Sequence, residues 1–151
     1  MSSRALVRMP ALVAWLGYGG LIPFVSLAIA GGVLRADEVT PAMLAYGAVI
    51  LSFVGALHWG FAMSVPDLES GGRSRLFVWS VVPALLAWVC LLVPARAGCL
   101  GLIAGFVLHY GWDRRLPFLA RLPAWYLPLR LRLTVVACLC LLLNEFWLAR
   151  K

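Results

Sequence analysis

Residues 41–64 read PAMLAYGAVILSFVGALHWGFAMS, a run without a single Lys, Arg, Asp or Glu. A helix needs about 20 such residues to cross the hydrocarbon core of a bilayer. Continuous apolarity, rather than alternation over ~10 residues, argues against a barrel strand. Four more apolar runs accompany it, at 11–33, 76–94, 97–112 and 131–149, the last carrying Arg132 and Glu145. Together they predict an all-α polytopic membrane protein, a five-transmembrane-helix bundle forming one integral membrane domain over residues 1–151. The run at 97–112 is the shortest, and Arg96 is expected to reach back to the headgroups to complete it.

The whole chain agrees with this reading. It has 151 residues, 64% hydrophobic and 13% charged, against ~25% charged in an ordinary soluble domain. Mean hydropathy is +0.96. A small soluble domain must leave part of its surface in water, which excludes a soluble enzyme, a nucleic-acid module and a disordered tail. The net charge of +7 does not point to nucleic acid, because the basic residues occupy gaps between apolar runs, where they set orientation. Arg4, Arg8, Arg73, Arg75, Arg114, Arg115, Arg121, Arg130 and Arg132 fall on one side, and Arg35, Arg96, Arg150 and Lys151 on the other, nine against four. The positive-inside rule then predicts a cytoplasmic N-terminus and a periplasmic C-terminus in a bacterial inner membrane. Arg4 and Arg8 ahead of an apolar stretch and Ala28-Ile29-Ala30 also fit a cleaved leader, but the run is long for one and contains Pro23, so a retained first span is expected.

Two kinds of segment lie between the spans. The stretch 65–75 carries Pro66, Asp67, Gly71 and Gly72 and reads as a plain turn. The stretch 113–130, DRRLPFLARLPAWYLPLR, alternates arginine with apolar and aromatic residues. Trp125, Tyr126 and Arg130 are expected to anchor it at the cytoplasmic interface, its arginines favouring anionic lipid. Cys90, Cys99, Cys138 and Cys140 form no C-x-x-C pair and read as small buried hydrophobes. A disulfide between Cys90 and Cys99 is the alternative, since both lie near the oxidising end of neighbouring spans.

Small residues mark candidate packing faces. Ala48, Ser52, Ala56, Gly60 and Ser64 follow strict four-residue spacing, as do Ala97, Gly101 and Gly105 with His109 and Asp113 on the same line. Residues i and i+4 share a helix face, and small side chains there let backbones approach. Pro23 and Pro83 inside spans are expected to kink them and free carbonyls that need partners. Gly55-Ala-Leu-His58-Trp59-Gly60 is echoed by Gly105-Phe-Val-Leu-His109-Tyr110-Gly111, which suggests two copies of a helical hairpin.

Ionisable groups within spans are functional candidates because burying them is costly. His58, Trp59, His109, Asp113, Tyr18 and Ser80 fall at comparable depth and form the candidate intramembrane polar site. Asn144 and Glu145 lie near the opposite end, where Glu145 is expected to snorkel to water. The two histidines admit three readings: helix-to-helix hydrogen bonds, a proton relay with Asp113, or the axial pair of a b-type haem. No catalytic motif or dense metal-ligand set is present in the sequence, so no cofactor, metal or enzymatic activity is expected.

Several strings carry a resemblance: Leu16–Phe24 (LGYGGLIPF), Tyr46–Gly55 (YGAVILSFVG), His58-Trp59-Gly60, Trp79–Pro83 (WSVVP) and Trp125–Arg130 (WYLPLR). They resemble a domain-of-unknown-function family of bacterial membrane proteins that also includes the mitochondrial transmembrane protein 69. The resemblance implies a five-helix inner-membrane protein with no established activity, and it favours His58 over His109 as the functional histidine. The expected function is a non-enzymatic scaffold or assembly factor for membrane complexes. Its partners would be the bilayer, anionic lipid, and either a second copy or another membrane protein. A small oligomeric transporter around His58 and haem binding by His58 and His109 are the alternatives.

Overall fold

A computed structural model describes residues 8–34, 36–66, 68–116 and 122–150. Arg4, Arg35, Asp67, Arg121 and Lys151, and residues 117–121 of the arginine-rich segment, lie outside them. The described residues fold into α1 (Ala11–Gly19), α2 (Ile22–Val33), α3 (Ala36–Ser64), α4 (Ser70–Leu92), α5 (Ala95–Asp113) and α6 (Tyr126–Ala149). Four segments are long and apolar enough to cross a membrane: Ala11–Val33, Glu38–Ser64, Ser70–Leu92 and Tyr126–Ala149. The chain is a polytopic all-α membrane protein. Large side chains such as Trp15, Val33, Val78 and Trp88 stand mostly exposed around the bundle, a surface suited to lipid tails and not to water.

Pro23 does not kink a continuous first span. It sits in the first turn of α2, where its missing N–H costs nothing. The break falls at Gly20 and Leu21, where Leu21 N–H bonds the Tyr18 carbonyl three residues back. The Gly20 carbonyl is taken by the Tyr46 hydroxyl of α3 at 2.7 Å. Pro83 stays within α4 and packs on Gly55 of α3, where an added methyl would lie 2.9 Å from the proline ring.

The α5–α6 pair is antiparallel and clamped at both ends. Arg96 opens α5 and meets Glu145 near the end of α6 at 2.6 Å. Asp113 closes α5 and meets Arg130 near the start of α6 at 2.9 Å. Arg96 and Glu145 therefore bond each other, whereas each was expected to reach out to headgroups or water. Asn144 is fully buried and joins Thr40 of α3 at 3.1 Å and Cys99 of α5 at 3.6 Å. Cys90 and Cys99 are free thiols, so the disulfide alternative does not hold. Between these two polar levels lies an apolar core that includes Phe24, Met43, Leu51, Leu102, Phe106 and Leu141.

Within the bundle the small-residue stripe on α3 packs only at its start. Ala48 is buried, but Ala56, Gly60 and Ser64 are exposed, and a methyl on Gly60 would meet nothing. The face that packs runs through Met43, Gly47, Leu51, Gly55, His58 and Ala62. On α5 the expectation fits better. A methyl on Gly105 would lie 2.7 Å from Leu51, and one on Gly101 would lie 2.6 Å from the Cys90 sulfur. Ala97 is exposed, and the closer approach is at its neighbour Gly98.

A buried histidine and carboxylate cluster

His58 reaches the bundle interior from α3, and His109 and Asp113 from successive turns of α5. The two rings meet edge to face with centroids 4.9 Å apart. His58 and Asp113 are fully buried, His109 is 1% exposed and Arg130 6%. His58 Nε2 lies 3.2 Å from Asp113 Oδ1, within ion-pair range though not aligned as a hydrogen bond. The other oxygen, Oδ2, accepts from Arg130 Nε at 2.9 Å. The carboxylate is thus held between a ring and a guanidinium, the compensation that a charge in the bilayer requires.

His109 is committed on both nitrogens. The indole of Trp79 donates from Nε1 to its Nδ1 at 3.1 Å, and its Nε2 faces the Val54 carbonyl at 3.1 Å. Indole N–H can only donate, so Nδ1 is the bare nitrogen and Nε2 carries the proton given to Val54. Trp79 stacks in turn on Trp112, centroids 4.3 Å apart. Replacing Trp79 with Phe should release the ring: in ¹⁵N NMR the bare-Nδ1 signature of His109 is expected to give way to a tautomer mixture. An unchanged spectrum would mean that the indole does not set the tautomer.

Ligand atoms of His58, His109 and Asp113 all lie within 4.8 Å of one another, a spacing a metal ion could bridge. The donor set does not fit one. His109 offers no free lone pair, since one nitrogen accepts from Trp79 and the other is protonated, and Asp113 is already paired with Arg130. The same occupancy, together with rings in direct edge-to-face contact, leaves no place for a porphyrin between two axial imidazoles.

Three expected members fall elsewhere. Tyr18 is 38% exposed and accepts from Arg132 at 3.1 Å. Ser80 is buried, but its hydroxyl donates to the Phe77 carbonyl of its own helix at 2.6 Å. Trp59 points outward, half exposed, against the edge of Phe77. Two interface anchors are also corrected. Arg130 is the buried counter-ion of Asp113, not a lipid contact, because α6 begins at Tyr126 and so carries Arg130 one turn into the helix. Tyr126 turns inward, its ring 6.0 Å from that of Phe61, and Trp125 is half-buried. Sequence reasoning missed Trp79 and the counter-ion role of Arg130. The signal for Arg130 was Asp113 itself, an acid on a line of small residues that needs a cation.

The profile of a family described as protein of unknown function, DUF3429, matches residues 9–146. The chain belongs to that family. All four cluster residues of this DUF3429 member fall inside the match. Similar proteins include transmembrane protein 69 of Xenopus tropicalis, 40% identical over 141 residues, covering 89% of this chain and 53% of that protein. Transmembrane protein 69 of Mus musculus is 27% identical over 140 residues, covering 87% of this chain and 54% of that protein. The chain spans about half the length of these curated relatives. No solved structure matches it.

Proposed function

We propose that the protein is a non-enzymatic scaffold or accessory factor for membrane complexes, seated in a bacterial inner membrane with five crossings, the N-terminus cytoplasmic and the C-terminus periplasmic. One observation carries this reading: the polar cluster is closed, with His58 and Asp113 wholly buried and His109 and Arg130 nearly so. A sealed cluster built on the Asp113–Arg130 pair fixes which helices meet and in what register, the best-attested use of buried polar groups. The fifth crossing is α5, whose 19 residues give about 28 Å of helix. It is not among the four long apolar segments, and its polar residues Arg96, His109 and Asp113 find partners within the protein. Co-purification from gently solubilised membranes tests the scaffold role. A reproducible membrane-protein partner present in stoichiometric amount is expected, and isolation as a lone species in every mild detergent would contradict the reading.

A small oligomeric transporter is the second reading. His58 Nδ1 favours it, being buried with no hydrogen-bond partner among the described residues, as a proton-accepting site would be. Proton uptake by vesicles containing the protein, lost in His58→Gln, would support transport over scaffolding.

A further inference from the structure

On the other side of Arg130 a crevice of about 120 Å³ opens between the α1–α2 break, α3 and α6. Leu16 and Phe53 form its exposed rim. Its inner wall includes Phe24 and Phe106, both buried, so entry is sideways from the bilayer into an aromatic slot. The wall also holds Thr134, 6% exposed. A threonine in a helix usually returns its hydroxyl to a carbonyl of the preceding turn. The Thr134 hydroxyl does not, and it has no hydrogen-bond partner among the described residues. A buried hydroxyl left unpaired is costly, and a ligand oxygen would remove that cost.

Size, charge and depth narrow the ligand. An apolar cavity of about 150 Å³ takes up benzene, so this one is of the scale of a single six-membered ring. Arg130 lines the crevice, but its charge is matched by Asp113, so the site favours a neutral oxygen over a carboxylate or phosphate. Helix α6 has 24 residues, and Thr134 lies three to four residues from its midpoint, about 5 Å along the axis. The hydrocarbon core extends ~15 Å to either side of the midplane. A phospholipid's ester carbonyls stay at that boundary and do not reach Thr134. A carbonyl at this depth belongs to a lipid whose polar part is itself soluble in the core.

We propose that the crevice binds a neutral lipid quinone, its ring between Phe24, Phe53 and Phe106 and one carbonyl accepting from the Thr134 hydroxyl. The hydroxyl is covered in the structure, so the ring displaces a rim side chain as it enters. This inference is independent of the scaffold reading and of the His58 cluster's role. The test is photolabelling of the detergent-solubilised protein with an azido-benzoquinone bearing a decyl tail, displaced by the unlabelled quinone. Label is expected on the segments that line the crevice, at residues 16–24, 50–54, 106 and 130–137. Thr134→Val keeps the shape and removes the donor, and should weaken displacement about five- to tenfold, the worth of one hydrogen bond. Gly17→Leu fills the slot and should abolish labelling; a first carbon there meets Leu129 and Leu133 at an ordinary 3.6 Å. Equal displacement by dodecane or by a diacyl phospholipid, undiminished affinity in Thr134→Val, or label confined to segments that do not line the crevice would each overturn the proposal.

Discussion

Replacing Asp113 with Ala is expected to destabilise the protein by about 3–5 kcal/mol, the cost of stranding a buried charge whose partner has been removed. The charge stranded is the guanidinium of Arg130, 6% exposed and bonded to Asp113 Oδ2 at 2.9 Å. Arg130→Met alone should cost a similar amount, because it leaves the fully buried carboxylate beside His58 with no cation. The double variant Asp113→Ala with Arg130→Met should recover most of the loss, since removing both charges also removes their desolvation. Thermal unfolding in detergent, followed by helix signal, measures all three. Single losses that simply add in the double variant would mean that the two residues do not interact.

The second large effect belongs to Gly98. A methyl added there would sit 2.5 Å from the backbone carbonyl oxygen of Cys90 and 3.3 Å from Leu44. A backbone atom cannot rotate away, so Gly98→Ala must push α5 off α4, at a cost of ~1–3 kcal/mol or more. Gly60→Ala is the matched control. Nothing lies within 4 Å of the added carbon, and alanine is the better helix former by roughly 0.5–1 kcal/mol. Gly98→Ala should therefore melt well below the natural protein and Gly60→Ala at or slightly above it. Equal melting of the two would contradict the close α4–α5 approach.

The contrast between these glycines shows what the sequence carried and what it hid. Apolar continuity located the four long apolar spans to within six residues at each end, because lipid exposure is a property of whole runs. The packing face of α3 was not legible from strict four-residue spacing. Four residues turn a helix by 400°, so such a line drifts roughly 40° per step. Starting from buried Ala48, it has left the interface by Ala56 and Gly60, whereas the true face mixes steps of three and four through Leu51, Gly55, His58 and Ala62. Arg130 was misplaced for a related reason. Hydropathy starts the last span at Leu131, after the arginine, while the backbone starts it at Tyr126. The meeting of His58 with His109 was foreshadowed by their similar depth in two spans. Trp79, which fixes the tautomer of His109, comes from a third helix whose rotation no local pattern reveals.

Solvent access to position 58 bears most directly on whether the cluster is a sealed lock or part of a conduit. With the four native cysteines replaced by Ala or Ser, His58→Cys is treated in sealed membranes with small charged and permeant methanethiosulfonates. Ser64→Cys, exposed at the end of the same helix, serves as the reactive control. A buried thiol away from water is inert, so position 58 should stay unlabelled by either reagent from either side while position 64 reacts. Rapid modification at position 58 by the charged reagent would reveal a water path into the bundle and contradict the closed scaffold.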